Sequence, residues 1–207
     1  MIAIIDYNAG NLTSVRLAFD ALGVPAEVTR DPARIAAAER VVFPGVGHAG
    51  AAMRNLRDLG LDAAVRDALA SGRPFLGICL GMQILLDCSE ESETDQDTPC
   101  LAVVPGRVER FQPKDRRDKV PQMGWNTVEQ RIDHPIFADV PDSGDFYFVH
   151  SYCAKSPDER YVVGTTDYAD TRFASVVAHE NMVATQFHPE RSGRLGLQIL
   201  RNFAAWG

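Results

Sequence analysis

Arg73-Pro-Phe-Leu-Gly-Ile-Cys-Leu-Gly-Met-Gln83 decides the reading of this chain. A short apolar run ends in Gly77-Ile78-Cys79-Leu80-Gly81, and a stretch suited to a helix follows. This is the pattern of a nucleophile elbow, a sharp strand-to-helix turn, with cysteine where a hydrolase carries serine. Such a turn requires small residues two positions before and after the nucleophile, because a Cβ there would collide with the tight backbone. It also predicts the sulfur at a helix N-terminus, where the macrodipole favours the reactive thiolate. By itself the pentapeptide suits a small buried cysteine at a strand end equally well, since free cysteine is among the most buried residue types.

Upstream of the elbow, strands and helices alternate. Ile2–Ile5 is a continuous apolar run, as expected of a strand buried on both faces. Asn11 predicts a helix cap, with the helix running to Leu22 and stopped by Gly23. Ala26–Thr29 is a second strand, and Asp31-Pro32 opens a short helix to Glu39. Val41–Phe43 is a third strand closed by Pro44-Gly45; helices follow over about 49–59 and 61–70. Pro74–Ile78 is the elbow strand and Leu80–Leu86 its helix. This alternation indicates βαβ units and a parallel sheet. Ligands of such sheets sit at the carboxyl ends of the strands. Asp6–Gly10, Pro44–Gly47 and Cys79 all fall at such ends, which places them at one site.

After Ser89–Pro99, an acidic stretch read as a solvated loop without function, the texture changes. Strands are predicted over Val108–Phe111, Trp125–Glu129, Asp145–Ala154, Tyr161–Thr166, Phe173–His179 and Val183–Phe187, then a helix from Arg194 to Phe203 capped by Ser192. The last strand leads into His188-Pro189-Glu190. A thiol nucleophile needs a base, and the base needs a group that fixes its tautomer and stabilises its charged form. His188 and Glu190 fit these roles; read alone, His-Pro-Glu is equally a strand-ending turn. Cysteine with a distant histidine is the sequence form of such a site.

Gly77-Ile-Cys-Leu-Gly-Met-Gln83 together with Gln186-Phe-His-Pro-Glu190 resembles the class I (triad) glutamine amidotransferases. Asp6-Tyr-Asn-Ala-Gly-Asn-Leu12, Phe43-Pro-Gly-Val-Gly47, Val120-Pro-Gln-Met-Gly-Trp-Asn126 and Phe146-Tyr-Phe-Val-His-Ser-Tyr152 narrow the likeness to the glutaminase subunits of imidazole glycerol phosphate synthases, from Ile2 to about Phe203. The resemblance implies one three-layer α/β domain over 1–207, a central, mostly parallel sheet flanked by helices with a strand-rich second half. It implies hydrolysis of glutamine through a Cys79 thioester, with His188 and Glu190 completing the triad. Leu80 and one of Val46 or Gly47 would supply oxyanion-hole N–H groups. Gln83 and the backbone around His150, Ser151 and Tyr152 would hold the glutamine. The ammonia would pass to a (β/α)-barrel cyclase subunit in a heterodimer, yielding imidazole glycerol phosphate and an aminoimidazole carboxamide ribotide. Pro121, Met123, Trp125 and Asn126 are the candidate docking face, since aromatic residues and Met are enriched at interfaces; a buried strand Trp is the competing reading. Other readings are a glutaminase serving a different synthase, a thiol esterase and a catalytically silent scaffold. The esterase fits less well, because in α/β-hydrolases the acid precedes the histidine.

The chain's 207 residues are 45% hydrophobic, enough for one domain with a full core. A net charge of −7 argues against a nucleic-acid partner. Lys114–Lys119 is a charged run interrupted by acids and reads as a solvated loop. Cys88, Cys100 and Cys153 are expected to be free packing or surface residues in a reducing, cytoplasmic setting. His48, His134 and His179 have no evident partners. No segment approaches the ~20 apolar residues of a membrane span, the start lacks a basic leader, and no residue cluster suggests a metal or organic cofactor.

Overall fold

The computed structural model describes residues 1–8, 10–115, 117–155 and 158–207; Ala9 of the 6–12 loop and Arg116 of the charged run lie outside them. In chain order the elements are β1 (Ile2–Ile5), α1 (Leu12–Ala21), β2 (Ala26–Thr29), α2 (Pro32–Ala37), β3 (Arg40–Gly45), α3 (Ala49–Asp58) and α4 (Leu61–Ala70). Then come β4 (Phe75–Cys79), α5 (Leu80–Gln83), β5 (Cys88–Ser89), β6 (Thr98–Pro99), β7 (Arg107–Arg110), β8 (Gln122–Gln130) and β9 (Gly144–His150). The chain ends with β10 (Tyr152–Lys155), β11 (Val162–Tyr168), β12 (Thr171–His179), β13 (Met182–Thr185) and α6 (Gly193–Ala205).

One path of hydrogen-bonded strands runs β2-β1-β3-β4-β13-β12-β10-β7-β5-β6, with β11, β8 and β9 branching from β12. The pairings among β2, β1, β3, β4 and β13 are parallel. β1, β4 and β13 are buried at every position, the signature of strands covered on both faces. Alternate side chains feed two cores. Ile5, Phe43 and Phe75 pack with Leu56, Leu61 and Val65 of α3 and α4. Ile4, Val42, Leu76 and Ile78 pack with Val15 and Phe19 of α1 and Ile199, Leu200 and Phe203 of α6. Helices on both faces of a mostly parallel sheet make a three-layer α/β fold.

The expected helix from Leu80 to Leu86 is shorter than predicted. Beyond Gln83 the chain tightens into i→i−3 bonds, Leu85 N to Met82 O and Leu86 N to Gln83 O. The carbonyls of Ile84, Leu85 and Leu86 are instead taken by the N–H groups of Leu101, Val103 and Ala102. The expected strand Asp145–Ala154 is two strands. β9 pairs with β8 and β10 with β7, so the chain changes partners at Ser151. Of the three predicted caps, Asp31 accepts from Ala33 N at 2.9 Å as expected, while Asn11 and Ser192 make no side-chain cap bond. Asn11 is left-handed at φ 71° and turns its amide elsewhere, and the Ser192 hydroxyl donates to the His188 carbonyl.

Candidate active site

Cys79 ends the central strand β4 with φ 54° and ψ −110°, a conformation L residues avoid. Such backbone costs about 1–3 kcal/mol and persists only where its surroundings impose it. They do so here from both sides. A Cβ on Gly81 would overlap the Phe43 carbonyl, and one on Gly77 would come within 2.9 Å of the Ala184 Cβ. Strand β3 therefore presses on the turn from one side and β13 from the other. Helix α5, a single turn, is too short to supply the macrodipole expected from sequence.

His188 lies just past the end of β13, the strand that pairs with β4. Its Nδ1 is 2.8 Å from Glu190 Oε1, and the two side chains are 2% and 0% exposed. Pro189 opens a single 3-10 turn, which folds the carboxylate back onto the ring. The Asn11 side-chain amide donates to the same Glu190 oxygen. With Nδ1 held, Nε2 is the nitrogen left for Cys79; no other partner reaches it among the described residues. Burial alone would lower the histidine pKa. The adjacent Cys79 sulfur and then Glu190 outweigh it and raise His188 to about 10. At pH 7 the imidazole is therefore protonated, an acid held beside Cys79.

The cavity over the sulfur has a volume of about 280 Å³ and is lined by Val46, Gly47, Cys79, Leu80, Gln83, Glu91, Pro121, Val149, His150, Ser151 and Tyr152. The structure thus brings Cys79 together with both segments predicted to supply backbone N–H groups, and Gly47 adopts φ 113°. Gln83 donates to the Tyr152 carbonyl (2.9 Å) and to Gln186 Oε1 (3.1 Å). The Gln186 amide lies 3.7 Å from the Cys79 sulfur. His150 points its ring inward among Phe111, Phe148 and Phe173. Its Nδ1 is 2.7 Å from the Tyr152 carbonyl, and burial lowers its pKa to about 4, so it is neutral at pH 7. A larger cavity, about 420 Å³, is lined by Arg131, Lys155 and Arg172 among others and shares no lining residue with this one.

Sequence reasoning missed Asn11 as a partner of Glu190 and Gln186 as a partner of the sulfur. It also set aside the 89–99 loop as functionless. Glu91 of that loop lines the cavity, and its carboxylate accepts from the Ala49 N–H at 2.8 Å.

Met123, Trp125 and Asn126 do not join the cavity. They line a groove with Gln122, Asp167 and Tyr168. Trp125 is 57% exposed and Met123 66%, so the reading of Trp125 as a buried strand residue is corrected. Pro121, one residue before β8, reaches the cavity itself. His48 caps α3 through Gly50 N, His134 accepts from Ile136 N, and His179 stacks edge-on against Tyr161, so all three have structural partners. The four cysteines are free, with Cys79 and Cys153 buried. Among the described residues there is no group of three His, Cys, Asp or Glu placed to hold a metal. No helix there is long and apolar enough to cross a membrane.

A thiol at an elbow, an imidazole held by a carboxylate and a cavity lined by Val46, Gly47 and Leu80 together suit acyl transfer. The family model "Glutamine amidotransferase class-I" matches residues 3–205, and the chain belongs to that family. Its fold is shared with a PurLQS structure from Thermotoga maritima, at TM-score 0.74 and 16% identity over 99% of this chain and 97% of that one. A glutamine amidotransferase from the same organism gives TM-score 0.64 and 18% identity over 98% and 81%. Within the family the likeness is to imidazole glycerol phosphate synthase subunit HisH. The protein of Nitrosococcus oceani is 48% identical over 99% of this chain and 97% of its own length. That of Dehalococcoides mccartyi strain CBDB1 is 45% identical over 98% and 96%. The chain is thus a member of the HisH family.

Proposed function

We propose that this chain, as one domain, is the glutaminase subunit of an imidazole glycerol phosphate synthase and that Cys79, His188 and Glu190 carry the chemistry. The observation that supports this most is the Glu190–His188 pair, buried and poised beside a strained Cys79 at the floor of a small cavity. The Cys79 thiolate attacks the glutamine carboxamide carbon. The developing oxyanion is met by Leu80 N–H and by N–H from Val46 or Gly47; one such donor is worth roughly 2.7–4 kcal/mol of barrier. His188 protonates the leaving amine, ammonia departs, and a γ-glutamyl thioester remains. His188 then takes a proton from water, which releases glutamate and restores the thiolate. Backbone groups at Ser151 and Tyr152 hold the substrate's α-groups. Gln83 Oε1 faces the same need as an acceptor, because its nitrogen is already engaged by Tyr152 and Gln186.

Ammonia at pH 7 is mostly ammonium, which is not nucleophilic and diffuses away. A biosynthetic glutaminase therefore has to deliver it directly to an acceptor site. That site belongs to a second polypeptide, a (β/α)-barrel cyclase making imidazole glycerol phosphate and an aminoimidazole carboxamide ribotide. Pro121 borders the cavity, and exposed Met123 and Trp125 follow it on β8, which supports this strand as the docking face. The test is glutamate release from glutamine by the chain with and without the cyclase subunit and its nucleotide ligand. Activity is expected in the ligand-loaded complex and absent with Cys79→Ala. Activity that survives Cys79→Ala removes the nucleophile assignment, and activity indifferent to the partner removes the pathway.

A further inference from the structure

Gln186 is fully buried, and its side chain belongs to a chain of hydrogen bonds ending on the sulfur. It sits one residue beyond Thr185, which pairs with Ile78 in the parallel β13–β4 register, so Gln186 is the lateral neighbour of Cys79. The orientation of its amide is fixed by logic as well as by distance. The Tyr152 carbonyl can only accept, so the Gln83 atom 2.9 Å from it is nitrogen. That nitrogen's second N–H points at the Gln186 amide at 3.1 Å, so the Gln186 atom there is oxygen. The remaining end of Gln186 is then the NH₂ group, 3.7 Å from Cys79 Sγ. Its main chain is pinned as well, Gln186 N donating to the Ser175 carbonyl at 2.8 Å.

We propose that Gln186 is a further catalytic residue: its side-chain amide donates a hydrogen bond to the Cys79 sulfur and holds it as the thiolate, while Gln83 acts through it as a positioning residue. A neutral donor suits this place. It stabilises the anion before attack and again when the thioester collapses. It also carries no charge that would compete with His188 for the proton. The inference rests on Cys79 being the nucleophile.

Two readings are taken on the full chain. One is the rate of Cys79 alkylation by iodoacetamide against pH, followed on the Cys79 peptide by mass spectrometry. The other is glutaminase activity with the cyclase subunit present. In Gln186→Met the midpoint of the alkylation profile is expected to rise by about one pH unit, as befits loss of one hydrogen bond to a charged group, and by more in Gln186→Glu. Glutaminase kcat is expected to fall about tenfold with little change in KM. Gln83→Met, which frees the Gln186 amide to turn, is expected to move the midpoint in the same direction by less, and it serves if a Gln186 variant does not fold. A residue that only fills space would lower the melting temperature and leave the alkylation midpoint in place. An unmoved midpoint in every variant that folds overturns the proposal. Glutaminase surviving in Cys79→Ala would instead overturn the nucleophile assignment, a separate outcome.

Discussion

His188 has two ring nitrogens in unlike surroundings, and that difference is what makes it useful. Nδ1 faces a carboxylate that Asn11 also holds, while Nε2 is left to the sulfur. Glu190→Gln keeps the shape but loses the charge, and when its amide presents N–H to Nδ1 it favours the wrong tautomer and gives up the bond from Asn11, which goes to the same oxygen. Glutaminase kcat in the partner-loaded complex is expected to drop by about 10²–10⁴-fold while KM holds, by the logic of the serine triad's acid. A drop of less than threefold would mean the carboxylate does not orient the base. Cys79, His188 and Glu190 were legible in the sequence because each lies in a short local pattern, a glycine-flanked elbow or a strand end with proline. Asn11 and Gln186 were not, because their partners Glu190 and Cys79 lie 179 and 107 residues away along the chain. Asn11 carried a misleading local signal as well, since a helix cap is the commonest use of that residue at that place.

Strands β1, β3 and β4 were readable for a simple reason: burial on both faces makes their centres apolar without interruption, and turn residues close each one. In the antiparallel half the longer strands were legible without their boundaries, because a strand that changes partners leaves no mark in hydropathy, and the two-residue β5 and β6 were read as loop. The switch at Ser151 separates β9 from β10 and places His150 on the last rung of β9, in an aromatic box. That box makes a pH prediction. Burial first, then the nearby His188 charge, lower His150 to about 4, only partly opposed by its bond to the Tyr152 carbonyl. An unfolded histidine titrates near 6.5. Between these values the unfolded chain binds a proton that the folded chain refuses, so stability falls as pH drops from about 6.5 to about 4. The contribution lost is on the order of 3 kcal/mol. His150→Asn, whose amide nitrogen stands where Nδ1 does and can still donate to the Tyr152 carbonyl, is expected to lose about 2 kcal/mol less stability than the parent between pH 7 and pH 4.5 in urea titrations. Equal losses would show that His150 is not the group that titrates.

On β8 the usual logic of a strand is inverted: polar Gln122 is buried and apolar Met123 and Trp125 face outward. Inside, the Gln122 amide lies 3.0 Å from His150 Nε2; outside, the Trp125 ring meets Tyr147 edge-on yet stays mostly in water. Exposed Leu17, at 52%, extends the apolar surface on α1. Gly193 lies beside the Trp125 ring and shares a concavity with Leu17 and Glu190, so this surface passes close behind the triad. Val46, 38% exposed, reaches solvent from the cavity wall. Leu17, Val46, Met123 and Trp125 are four of the six exposed large apolar side chains among the described residues, Met1 and Ile132 being the others, and their nearness to the triad supports the docking face proposed above. Trp125→Ala should therefore separate stability from assembly. The isolated chain's unfolding free energy is expected to change by less than about 0.5 kcal/mol, because the indole is mostly in water. Affinity for the cyclase subunit, measured by titration calorimetry, is expected to weaken by about 2 kcal/mol, roughly 30-fold, as for a central aromatic anchor. Full affinity in this variant would move the docking face off β8, while a large loss of stability in the isolated chain would mean that Trp125 serves the fold instead.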